Sequence, residues 1–96
     1  MKTVWKYPVR PTMEIELPVG AQVLSVQMQG GEPQMWVHLD PAAPKEVRSF
    51  AVFGTGHEIP DDYTLFIGTF QTHGGLLVFH VFETRDVSAK LSKDEG

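Results

Sequence analysis

The chain contains no cysteine, which removes disulfides, thiolate zinc sites and cysteine nucleophiles together and fits a reducing compartment. No run approaches the roughly 18 apolar residues that a membrane-spanning helix requires, and the opening MKTVWKYPVRP lacks the apolar stretch of a secretion signal. A cytoplasmic protein without a membrane partner is therefore expected. Clustered positive charge is also missing. Eight Lys and Arg stand against twelve Asp and Glu for a formal net charge of −4, with no two basic residues adjacent. Nucleic-acid binders concentrate their basic residues, so nucleic acid is not expected as a partner, whereas an acidic surface suits a basic protein. A chain of 96 residues fits one domain with a thin core, which leaves little depth for an enclosed cofactor; none is expected.

Helical periodicity is absent as well; what is present is alternation. In Thr12 to Leu17, Met13, Ile15 and Leu17 form an apolar face opposite Thr12, Glu14 and Glu16, the pattern of a strand with one face on a core. Ala21 to Gln29, with Leu24, Val26 and Met28 on one face, meets Gln34 to Leu39, with Met35, Val37 and Leu39, across Gly30-Gly31. Thr64 to His73 meets Leu76 to Glu83 across Gly74-Gly75. Both read as hairpins with two-residue glycine turns. The stiff connection Asp40-Pro41-Ala42-Ala43-Pro44 separates them. Adding Lys2 to Tyr7 and Glu46 to Phe53 gives about seven strands. The predicted fold is all-β, a small antiparallel barrel or sandwich over residues 1–83, followed by a polar C-terminal tail over 84–96 with a weak helical turn around Val87 to Leu91 as its one candidate element. Leu65-Phe66-Ile67 and Leu76 to Phe82 are apolar on both faces, so these strands are expected to be central in a sandwich or covered by a second subunit, and a homo-oligomer is expected.

The long loop Phe53 to Asp62 concentrates flexible backbone with His57 and the carboxylates Glu58, Asp61 and Asp62. Gly54, Thr55, Gly56, His57, Asp61 and Asp62 are therefore candidate ligand- or partner-binding residues, joined by His73, Gly74 and Gly75 of the second hairpin turn and by Trp36. The glycines could form an anion nest, but no helix N-terminus follows them. Asp61 and Asp62 read most simply as solvated turn residues, and no two histidines stand at a short metal-ligand interval, so no metal and no catalytic residue is expected. None of the serines sits in a Gly-x-Ser-x-Gly turn. His80, alternating with Val78 and Phe82 opposite Thr69, is expected to point inward. Gly68, inside an apolar strand, is expected to mark a bend or bulge. His57 and His73 are placed at opposite ends of strand 64–73, roughly 30 Å apart at 3.3 Å per residue, so that a shared site would need two subunits.

Three stretches, KTVWKYPV, VLSVQMQGGEPQMWVHLDP and VFGTGHEIPDDYTLFIGTFQTHGGLLVFHVFE, together resemble a family of small proteins encoded by phages and prophages, most specifically in GTGH-x-IP and GTFQ-x-x-GG-x-LVFH-x-FE. The resemblance covers residues 1–83. It implies an origin and a host-cell setting, and brings no activity, cofactor or catalytic residue. The leading expectation is a non-enzymatic accessory protein that binds a host protein, with a defence system such as CRISPR as one candidate target. An oligomeric protein binding a small ligand such as a nucleotide, and a metal-assisted hydrolase, are the alternatives.

Overall fold

The computed structural model describes residues 1–84; the turn expected around Val87 to Leu91 lies outside the described residues. The strands are β1 (Thr3–Pro8), β2 (Thr12–Pro18), β3 (Gln22–Gln29), β4 (Glu32–Leu39), β5 (Lys45–Gly54), β6 (Leu65–Thr72) and β7 (Leu77–Thr84). They form two antiparallel sheets, one ordered β1-β4-β3 and the other β2-β5-β7-β6. The all-β expectation is met, with an open sandwich rather than a closed barrel. No helix among the described residues is long and apolar enough to cross a membrane.

Alternation sorts the side chains. In the three-stranded sheet Met35, Val37 and Leu39 of β4 are buried, while Trp36 and His38 are half-buried on the other face. In the four-stranded sheet Leu17, Phe50 and Val81 are buried on the facing side, and the two sets close one core with Val26 and Phe70. Gly30 and Gly31 both have positive φ (59° and 84°) and join Gln29 to its cross-strand partner Glu32, the two-residue turn that the twist of a hairpin favours. The link from Asp40 to Pro44 folds on itself because the Asp40 side chain accepts the Ala42 N–H at 3.0 Å and its carbonyl accepts that of Ala43.

Three local expectations need correction. Leu24 does not share the inward face of Val26, because β3 has a bulge between Val23 and Ser25; the inward register passes to Val23, and Leu24 is 53% exposed. The second hairpin has no two-residue turn. Its last pair is Thr72 with Leu77, and the four residues between make a 3-10 turn in which His73, Gly74 and Gly75 all have positive φ. His80 does pair with Thr69, but their face is the outer one: Val81, next along the strand, is fully buried, and His80 is half-buried.

One ion pair crosses the inner face. Arg48 Nε and Nη2 donate to the two carboxylate oxygens of Glu83 at 2.6 and 2.9 Å, and Nη1 donates to the Ala21 carbonyl at 2.7 Å. Glu83 is buried, and the guanidinium also lies 5.7 Å from the centre of the Phe50 ring. The hydrogen bond to Glu83 raises the Arg48 pKa further above its already high value, outweighing the opposing effect of burial, so the guanidinium stays charged at ordinary pH.

Gly68 marks a bulge as expected, since the β6 register shifts between Phe66 and Gly68. The reason for glycine is a close approach between sheets: a Cβ there would lie 2.8 Å from Val26 Cγ2 and 2.9 Å from Val26 Cβ. Valine is stiff at χ1 and cannot swing clear. We expect Gly68→Ala to cost about 1–3 kcal/mol through overpacking, read as a fall in melting temperature of about 4–8 °C per kcal/mol. Glu83→Gln, which leaves Arg48 without its counter-charge, should cost about 3 kcal/mol in denaturant unfolding, and the apolar pair Arg48→Met with Glu83→Leu should recover most of it.

Candidate functional site

The most built-up surface lies where the loop after β5 meets the link between β1 and β2. That link, Val9-Arg10-Pro11, carries the chain from one sheet to the other and is pinned at both ends: Val9 N–H donates to Pro33 O at 3.0 Å, and Pro11 O accepts from Val52 N–H at 2.9 Å. A hollow of about 300 Å³ opens beside it, lined by Val9, Arg10, Pro11, Pro33, Val52, Gly54, His57, Phe70 and Phe79. A second hollow of about 280 Å³, lined by Gly54, Thr55, His57 and Leu76 to Phe79, adjoins it. His57, Gly54 and Phe79 are common to both. The His57 ring lies against the end of β5, because a Cβ on Gly54 would sit 3.0 Å from its Cε1 and Nδ1; the glycine leaves the room that the imidazole takes.

Of the residues singled out from sequence, the structure gathers Gly54, Thr55, Gly56 and His57 at this end, and brings the turn His73, Gly74, Gly75 to the same end. His57 and Leu76 line one hollow of about 280 Å³, and Leu76 is three residues beyond His73, at most about 11 Å of extended chain. The expected separation of roughly 30 Å is therefore wrong. β5 runs antiparallel to β7, so its exit lies beside the start of β7, and the loop to β6 travels back along the sheet only after His57. No second subunit is needed to bring the two turns to one end. His73 pairs with its neighbour, Nδ1 lying 2.9 Å from Thr72 Oγ1. Asp61 and Asp62 sit in a turn closed by Tyr63 N–H to Pro60 O at 3.0 Å, and Trp36 lies on the outer face of the other sheet, opposite Lys6 and Ser25. Among the described residues no three His, Asp or Glu side chains stand together as a metal-ligand set.

His80 is held between two threonines, with Nε2 2.8 Å from Thr55 Oγ1 and Nδ1 3.0 Å from Thr69 Oγ1. Thr55 thus ties the loop after β5 to the outer face of β7. On that same face lies a feature sequence reasoning misses: a row of rings, Tyr63 to Phe53 (5.5 Å between centres), Phe53 to Phe82 (6.2 Å) and Phe82 to Phe66 (5.6 Å), each pair edge to face. Phe66, at the end of the row, is 59% exposed. The available signal was parity: in the pairs Ala51 with Phe82 and Phe53 with His80, aromatic residues occupy the face that does not carry Phe50 and Val81.

A family model described as a domain of unknown function, DUF7352, matches residues 1–91. No curated protein and no solved structure matches the chain.

The contact at Gly54 has a measurable consequence. We expect Gly54→Ala to displace the His57 ring, changing its Hε1 and Hδ2 chemical shifts, while the melting temperature falls by less than about 4 °C, because a side-chain ring and not backbone must give way. Unchanged His57 shifts would mean that the ring does not rest on Gly54 in solution.

Proposed function

The chain belongs to the DUF7352 family, and we propose that it is a non-enzymatic binding module that docks a basic protein partner through the outer face of its four-stranded sheet. The observation that carries this reading is the row Tyr63, Phe53, Phe82 and Phe66 on a face that would ordinarily be polar and solvated. Its end ring is more than half exposed. Aromatic side chains dominate the energetics of protein interfaces, and contiguous exposed apolar surface marks interaction sites. The charge of the partner follows from the rim. Glu14 and Glu16 of β2 pair with Ser49 and Val47 on this same face, and the chain as a whole carries −4, so a complementary surface is apolar at its centre and basic at its edge.

The resemblance to phage- and prophage-encoded proteins narrows the proposal to a host protein in the cytoplasm, with a component of a defence system as one candidate. Self-association through the same face is the rival occupant, since a second copy would also cover the rings; two acidic rims facing each other weigh against it.

Phe66→Ala separates the two roles of the ring. At a half-exposed position it should cost no more than about 1 kcal/mol of stability, yet it should abolish recovery of a specific partner from host lysate by the immobilised protein. Glu14→Lys with Glu16→Lys should weaken capture while preserving the fold. Capture that is indifferent to both variants would overturn the assignment of this face, and a dimer in sedimentation that Phe66→Ala dissociates would assign the face to a second copy.

A further inference from the structure

The hollow beside the β1–β2 link is separate from the aromatic face and has a chemistry of its own. Its walls are apolar in side chain, with Val9, Val52, Phe70 and Phe79 facing Pro11 and Pro33. They are also quiet in backbone: the prolines have no N–H, their carbonyls accept from Val52 and Val9, and those two N–H groups are thereby used. Polarity enters only at Arg10 and His57. The Arg10 guanidinium is lightly held, 3.5 Å from Glu32 Oε1 in an exposed pair and 3.4 Å from the Val9 carbonyl, contacts too long and too solvated to fix it. The His57 ring has no hydrogen-bond partner among the described residues, whereas His73 and His80 each have one or more. Both polar groups are thus open to a ligand, and each offers an N–H donor to an acceptor at the rim.

We propose that this hollow is a binding site for a small organic carboxylate, with an apolar body seated against Phe70, Phe79 and the prolines and its carboxylate held by Arg10 and His57. Size sets the body. A volume of about 300 Å³ is at the lower end for ligand sites and equals about ten water-sized groups, enough for one aromatic ring and a short chain. Charge sets the head. An arginine fork matches a carboxylate through two parallel hydrogen bonds, and in a protein of net charge −4 a single negative charge suffers less repulsion than the two of a phosphate monoester. The site is complete within one subunit.

The test is a titration of the whole 96-residue protein with 4-phenylbutyrate, followed by amide and side-chain NMR shifts, with 4-phenylbutyramide as a neutral ligand of the same shape. We expect saturable shifts at Arg10, Gly54, His57 and Phe79 with a Kd on the order of 1 mM. The amide should bind about tenfold more weakly, and Arg10→Gln, a change at an exposed side chain, should weaken the acid by a similar factor and leave the amide unaffected. Phe66→Ala should leave both affinities unchanged, which separates this site from the protein-docking face. Equal binding of acid and amide, shifts confined to the outer aromatic row, or no saturable shift at millimolar concentrations would each overturn the proposal.

Discussion

The organisation of the sandwich depends on a charge pair where a core usually has none. Arg48 and Glu83 lie on adjacent strands on the inward face of the four-stranded sheet, and the third donor of Arg48 reaches the Ala21 carbonyl at the entry to β3. A bidentate pair has one good geometry. Slipping β7 by one residue against β5 would carry Glu83 to the outer face and leave an arginine uncompensated among apolar neighbours. The pair therefore fixes which face of each strand is inside, and through Ala21 it fixes where the second sheet begins. Because Glu83 and Val81 are inside, Phe82 and His80 must be outside. The outer aromatic row is a consequence of that register.

Once the core parity is set, the small residues locate the two sheets. β3 and β6 come together at one side of the molecule, where Val26 fills the space that Gly68 leaves. The Val9 to Pro11 link joins the two sheets and is tied by hydrogen bonds to Pro33 and Val52. The hollow beside Arg10 is the space left where the chain crosses between layers and neither sheet supplies a side chain to fill it.

Much of this was legible in the sequence. Alternation in Thr12 to Leu17 and Met35 to Leu39 gave the strands and their inward faces, and Gly30-Gly31 gave the first turn, because period and turn chemistry are local. The failures share one cause. Where both parities are apolar, as in Leu77 to Phe82, alternation cannot say which is inside, and the decision belongs to a partner 35 residues away, Arg48. A bulge such as that at Leu24 changes parity within a strand without any composition signal. The placement of His57 relative to His73 failed because a loop's length does not reveal at which end of the sheet its first residues lie. Arg10 carries no motif; its position follows only from where Pro11 and Pro33 are tied.

The two bulges have a further consequence for how this molecule can meet others. Both lie on strands at sheet margins, β3 and β6, and the other two margins, β1 and β2, end in Pro8 and Pro18, which have no N–H to offer. Lys6 stands on one of these strands, and Glu14 and Glu16 on the other. Every open margin is thus interrupted, terminated by proline or charged, the devices that stop an incoming chain from extending a sheet by backbone pairing. Addition of an eighth strand by backbone pairing is disfavoured at these margins, which shifts recognition towards side chains and works against edge-to-edge aggregation.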